Sequence, residues 1–206
     1  MEKNHVHLAD NIIELYQKHA KAWTALRGKY LYEKKWLDLF LAHLIPQSNL
    51  LDLGCGSAQP IAEYLIQHHH SVVGIDSADQ MIQDAQINFP QHIWLKADMR
   101  ELQLNEQFDG ILAWDSFFHL KPNDQRAMFN QFEKFSKQGG LLMFTTGPSY
   151  GEAIGELFGD ALYHASLSLE EYRYLLANSG FEVITMIAED PECTKHTVWL
   201  AQKIAN

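Results

Sequence analysis

The run Leu50-Leu51-Asp52-Leu53-Gly54-Cys55-Gly56-Ser57-Ala58-Gln59-Pro60 constrains the chain more than any other stretch. Three leucines around one acid read as a buried parallel strand, the glycine pair as a tight turn, and the apolar run from Pro60 as a helix. Glycine is needed where the main chain turns with positive φ, or where a ligand must lie against bare backbone. The following helix points its free N–H groups and positive dipole end at the same spot. The stretch is therefore expected to be a site for a nucleotide-like ligand at the carboxyl end of the first strand of an open α/β sheet.

Two details bear on the ligand. A dinucleotide fingerprint, G-x-G-x-x-G, uses its third glycine to let the helix pack close to the strand. Gly54-Cys55-Gly56-Ser57-Ala58-Gln59 lacks that glycine. An acid, Asp52, stands two residues before Gly54. A pyrophosphate has no use for it, whereas a ligand carrying an ammonium and a sulfonium would gain from it.

With these features, D-L-G-C-G-S over Asp52 to Ser57 resembles the first motif of class I S-adenosylmethionine-dependent methyltransferases of the small-molecule type. The resemblance extends from about Trp36 to the C-terminus. It implies a seven-stranded, mostly parallel Rossmann-like α/β sheet with an antiparallel C-terminal strand, helices on both faces and an N-terminal helical cap. It also implies S-adenosylmethionine as cofactor, S-adenosylhomocysteine as product, and a small or medium-sized methyl acceptor.

The 206 residues are expected to form one domain, with 1–45 as the cap and 46–206 as the cofactor-binding core. The longest apolar runs fall far short of the ~20 residues of a membrane span, and the start Met1-Glu2-Lys3-Asn4-His5 has no signal-peptide character. The only cysteines, Cys55 and Cys193, imply neither a disulfide framework nor a zinc site, so a reducing cytoplasm is the simplest setting. A formal net charge of −10 argues against nucleic acid or anionic lipid as a partner. No metal site is expected. His68-His69-His70 reads as a solvated helix end.

Residues 5–20 have a loose helical period that includes Val6, and a second helix is expected from Tyr30 to about Leu44, with Trp23 to Gly28 between them. These helices either cap the site or simply cover a sheet face. Strands are expected at Asn49–Leu53, Ser71–Ile75, about His92–Leu95, Phe108–Ala113 and Leu141–Thr146. Ser77 and Gln80 suggest a capping box for the helix after Asp76, and Ser168-Leu169-Glu170-Glu171 suggests another. Gly147 to Leu167 is too long for an ordinary connection and reads as a functional loop or short helical insertion. Two final strands, Phe181–Ala188 and Thr194–Gln202, are too close in sequence for a crossover and must be antiparallel, unlike the end of a dehydrogenase sheet.

Asp76 stands 20 residues beyond Gly56, where a ribose-binding carboxylate is expected. By resemblance, Asp98 would accept from the adenine amino group, Asp52 would orient the methionine portion, and Gly54, Cys55 and Gly56 would admit it through backbone. Ser77, Met81, Met99, Trp114, Asp115 and Phe118 complete the expected cofactor-binding set. Trp23, Arg27, Tyr150, Tyr163 and His164 are the candidates for the acceptor. His119 is the base candidate, with packing at a helix approach as the alternative. Two other functions stay open: a non-catalytic S-adenosylmethionine-binding regulatory module, and a nicotinamide-dependent oxidoreductase.

Overall fold

The structure is a computed structural model that describes residues 7–204. Residues 7–10 are helical. The elements are α1 (Ile12–Arg27), α2 (Lys34–Ala42), β1 (Asn49–Leu53), α3 (Ile61–Gln67), β2 (Ser71–Asp76), α4 (Asp79–Asn88) and β3 (Ile93–Lys96). They continue with β4 (Phe108–Ala113), α5 (Pro122–Phe135), β5 (Ser136–Thr146), β6 (Gly151–Leu157), β7 (Asp160–Ser166), α6 (Leu169–Asn178), β8 (Phe181–Asp190) and β9 (His196–Lys203).

Seven strands form one sheet in the order β3-β2-β1-β4-β5-β9-β8. Strands β1 to β5 pair in parallel, and β9 runs antiparallel to both β5 and β8. The order reverses between β1 and β4, which opens a crevice at their carboxyl ends. Alternate residues of each strand feed two separate cores. Leu51, Leu53, Ile111, Phe144 and Trp199 join α5 and α6 on one face, while Leu50, Leu112, Met143, Val198 and Leu200 join α2 and α3 on the other. Burial on both faces is why these strands are apolar throughout rather than alternating. Aromatic rings dominate the first core: Phe144 and Trp199 stack at 5.8 Å, and Phe117 meets Phe129 and Phe144 edge-on.

Several local readings are corrected. The segment 147–167 contains neither a loop alone nor a helix: β6 and β7 pair as an antiparallel hairpin, Gly151 opposite Ser166 through Leu157 opposite Asp160. Its alternation is obscured by glycines and by β6, which is exposed on both faces along most of its length. Helix α1 runs through Trp23 to Arg27 and ends at Gly28, so these residues are helical rather than a link, and α2 starts only at Lys34. Val6 lies outside the described residues. Ser77 does not cap α4. The Asp76 carboxylate accepts from Ala78 N–H at 2.8 Å, and the Gln17 side chain accepts from Asp79 N–H at 2.6 Å. By contrast, Ser168 does cap α6, accepting from Glu171 N–H at 3.1 Å. His68 and His69 are exposed, but His70 is buried and its Nδ1 accepts from Ser48 N–H at 3.1 Å.

Gly54, with φ +81°, sits where a Cβ would overlap the Ser116 side chain. Ser116 is fixed there by donating to Leu53 O at 2.6 Å. The glycine is therefore demanded by the neighbouring strand end as well as by any ligand. Gly54→Ala should destabilise the fold by about 1–3 kcal/mol through overpacking and backbone strain. A lower urea midpoint with an unchanged slope would register it.

Candidate active site

Gly54 and Cys55 N–H both donate to Ile75 O, at 2.7 and 3.0 Å, which ties the glycine turn to the end of β2. One residue on, Asp76 accepts from Gly56 N–H at 3.0 Å with one carboxylate oxygen while the other holds Ala78 N–H. The crevice above has two ends that share Trp23, Gly54, Gly56, Met81 and Asp115. One end is lined by Asp76, Ser77, Asp98, Met99 and Arg100, and roofed by Ile12, Ile13 and Tyr16 of α1. The other is lined by Asp52, Cys55, Ser57, Arg27 and Trp114.

Asp52 is buried, and its carboxylate makes no hydrogen bond with the described residues. Burial, with the nearby charge of Asp76, pushes its pKa up to about 7. Arg27 lines the same end. Its guanidinium donates to Tyr30 O at 2.8 Å, pairs with the buried Glu33 carboxylate and lies 4.6 Å from the Tyr32 ring centre. A cation and an acid thus face one small space. Asp98 is clasped by Arg100, whose Nε lies 3.0 Å from both carboxylate oxygens and whose Nη1 is 3.3 Å from Asp124. Burial works against the Asp98 carboxylate, but Arg100 outweighs it and holds the pKa below the usual range.

Residues 50–140 match the family model described as a methyltransferase domain. An O-methyltransferase of Pyrenophora dematioidea is 26% identical over 154 residues, 69% of this chain and 57% of that protein. The chain spans about half the length of the curated relatives it matches, from 52% to 57%. Among solved structures, the 1,6-didemethyltoxoflavin-N1-methyltransferase of Burkholderia thailandensis, with 1,6-didemethyltoxoflavin and S-adenosylhomocysteine bound, superposes with a TM-score of 0.73. It is 18% identical, over 99% of this chain and 90% of that one. An amino pentose methyltransferase of Micromonospora echinaspora with bound S-adenosylmethionine superposes with a TM-score of 0.69 at 17% identity, over 89% and 95% of the two chains. The fold and the glycine turn define an α/β protein with a nucleotide-type crevice. Residues 50–140 thus match a methyltransferase domain, and the fold is the one shared by solved structures of the S-adenosylmethionine-dependent methyltransferase family.

The residues present fit that family's cofactor. The unpartnered Asp52 carboxylate and the Arg27 guanidinium match the ammonium and carboxylate of an amino acid. Gly56, at φ +54°, leaves open space where a side chain would otherwise project, with only the Met81 sulfur 3.9 Å from an added Cβ. Asp76 and Asp98 line the other end beside the flat apolar surfaces of Ile75, Ala97 and Met99.

The structure separates the sequence-derived candidates into three groups. Asp52, Gly54, Cys55, Gly56, Asp76, Ser77, Met81, Asp98, Met99, Trp114 and Asp115 all reach the crevice. Trp23 and Arg27, expected on the acceptor, line it too. Phe118 does not; it lines a second cavity under the hairpin with Tyr150, His164 and His196. Tyr163 lines neither cavity. It is buried against Ala9 and Ala165, and its hydroxyl donates to Glu152 at 3.0 Å. Sequence reasoning missed Arg100, whose D-x-R spacing from Asp98 was a readable signal. It also missed Tyr32, Glu33 and His196, which lie far apart in the chain and carry no such signal.

His119 is buried, with both ring nitrogens engaged. Nδ1 is 2.8 Å from Tyr163 O and so carries the proton, leaving Nε2 to accept from the Tyr16 hydroxyl at 2.8 Å. Burial takes its pKa down to about 4. A neutral, fully bonded imidazole of that acidity positions Tyr16 and the hairpin and is poorly matched to proton abstraction near pH 7. Its folded pKa is depressed, so its contribution to stability is complete above the unfolded value of 6.5 and is lost as pH falls through about 4. At 1.36 kcal/mol per pKa unit, the gap between 6.5 and about 4 is worth about 3 kcal/mol. Urea titrations between pH 7 and 4 should show that decline, and His119→Gln should flatten it.

Proposed function

We propose that the protein transfers the methyl group of S-adenosylmethionine to a small or medium-sized organic acceptor. The observation that carries this reading is the crevice at β1 and β4, with Arg27 and the unpartnered Asp52 at one end and Asp76 and Asp98 at the other. The bound cofactor supplies an activated methyl on a good leaving group. The chain's own task is to hold the acceptor in line and exclude water. Helix α1 roofs the crevice through Tyr16 and Trp23 and is anchored to α4 by Gln17. The hairpin roofs the neighbouring cavity, about 470 Å³, where Phe118, Tyr150 and His164 offer flat walls for an acceptor. The acceptors in the names of relatives and solved neighbours support a small molecule. A net charge of −10 makes nucleic acid an unsuitable partner, and no helix among the described residues is long and apolar enough to cross a membrane. Two buried free thiols suit a cytoplasmic setting.

The test joins calorimetry with S-adenosylhomocysteine to mass spectrometry of methyl transfer across a panel of phenols, amines and carboxylic acids. Binding with turnover of any acceptor supports the proposal. Binding without any turnover favours a regulatory module, and failure to bind overturns both. Asp52 adds a specific expectation. With a folded pKa of about 7 it is largely protonated at pH 6, and an ammonium placed beside it would drive ionisation. S-adenosylhomocysteine binding at pH 6 should therefore release a substantial fraction of a proton, read as a binding enthalpy that varies with buffer. Asp52→Asn should remove that dependence and weaken binding.

A further inference from the structure

The end of the crevice beside Asp76 is closed by Arg100, which lies two residues beyond Asp98 in a single 3-10 turn, Met99–Glu101. Asp98 caps that turn by accepting from Arg100 N–H at 2.9 Å. The Arg100 side chain then folds back on its own cap. Its Nε lies 3.0 Å from both Asp98 oxygens, and its Nη2 is 2.5 Å from Oδ2. Three N–H groups of one residue therefore point at one carboxylate. A carboxylate offers about four acceptor sites, so about one is left open. The clasp is held from outside as well. Arg100 Nη1 donates to Asp124 in the first turn of α5 at 3.3 Å, and Gln131 of the same helix donates to Arg100 O at 3.4 Å. On the other side, Ala97 N–H donates to Asp76 O at 3.0 Å. The direction of the Asp98 carboxylate is thus set by β2 and α5 together.

We propose that Arg100 is a positioning residue that fixes Asp98 as an acceptor with one open site, and so selects a purine bearing a 6-amino group over one bearing a 6-carbonyl. The proposal rests on the methyltransferase reading above, which puts the adenosine of the cofactor at this end, opposite Arg27 and Asp52. An amino group donates, and an ionised carboxylate only accepts. A 6-carbonyl would set one oxygen against another with no proton between them. Two half-buried acceptors left facing each other cost more than the single bond that is missing.

Charge supports the geometry. Burial pushes Asp98 toward its neutral form, which could donate to a carbonyl and blur the choice, but Arg100 outweighs burial and holds the pKa below the usual range. Arg100 stays a cation, its own pKa raised by Asp98 and Asp124. The other charged groups lining this end are Asp76, Lys121 and Asp124, and Lys121 is paired with Asp10. Asp76 is engaged by Gly56 and Ala78 N–H. Among the described residues, Arg100 alone hydrogen-bonds the Asp98 side chain.

The test compares S-adenosylhomocysteine with S-inosylhomocysteine, its 6-carbonyl analogue, by calorimetry on the full chain between pH 5 and 7. The amino-acid end is common to both ligands, so titration of Asp52 cancels in the ratio of affinities. Wild type should favour S-adenosylhomocysteine by at least about tenfold across this range. In Arg100→Leu, burial acts on Asp98 unopposed and its pKa rises. The preference should then shrink several-fold toward pH 5, where the protonated carboxyl donates to the carbonyl. Arg100→Lys keeps a cation beside Asp98 and should hold the preference independent of pH. Arg100→Gln, a milder change, gives the same reading as the leucine variant if that variant fails to fold. An Arg100 that only tied the end of β3 to α5 would weaken both ligands alike and leave the ratio unchanged. A wild-type ratio near one, or a ratio in Arg100→Leu and Arg100→Gln that matches wild type at every pH, overturns the proposal. Failure of wild type to bind S-adenosylhomocysteine at all is a different result and overturns the cofactor reading with it.

Discussion

Asp76 fastens three pieces of main chain at one point. Its two oxygens hold Gly56 N–H in the glycine turn and Ala78 N–H at the start of α4, while the residue itself ends β2. Burial alone would push such a carboxylate toward its neutral form, and does raise its pKa, but backbone N–H groups oppose the shift. The turn, the helix and the strand end are thus mutually dependent. Gly54 cannot take a side chain because Ser116 approaches from β4, so the same point is gripped from the other side of the switch. The crevice is a consequence of this clamp rather than of any single loop.

The second organising element is the wall beside the crevice. Residues 114–119 alternate in allegiance: Asp115, Ser116 and His119 face the cofactor side, and Phe118 faces the hairpin cavity. Asp115 adopts φ +47°, an uncommon conformation for a residue other than glycine, and is held there by Tyr32, His196 and Thr145 from three separate segments. Backbone strain of this kind persists only where surrounding structure over-determines it, which is characteristic of functional positions.

The roof is assembled from the most distant parts of the chain. Helix α1 meets the hairpin through Lys18 and His19 on Asp160, both at 2.6 Å, and meets the wall through Tyr16 on His119. The Lys18 contact is exposed and contributes little by itself. The buried contact of Ala20 with Ala78 and Met81 is what seats the helix, and Ala9, in the helical residues just before it, packs on Tyr163 and Ala165 of the hairpin.

How much of this was legible beforehand follows from the range of each interaction. The Asp52–Gly56 turn, the acid at Asp76, the apolar strands and the antiparallel β9 are local patterns, because strand burial and turn geometry act on neighbouring residues. They were enough to determine the sheet and the place of the crevice at the carboxyl ends of β1 and β4. The hairpin was missed because β6, exposed on both faces, and its glycines lack the period of two that marks a half-buried strand. The misplaced cap at Ser77 had a similar cause: Gln17, some 60 residues away, supplies a partner that no local motif shows. Tyr32, Asp115 and His196 come together only because β9 inserts between β5 and β8 and carries its first residue to the end of β4. Likewise, His119 looked like a base in sequence, and only burial with two fixed partners turned it into a neutral strut. Residue type is written in the chain, but protonation and reach depend on desolvation and on groups brought from other strands, and tertiary structure alone decides those.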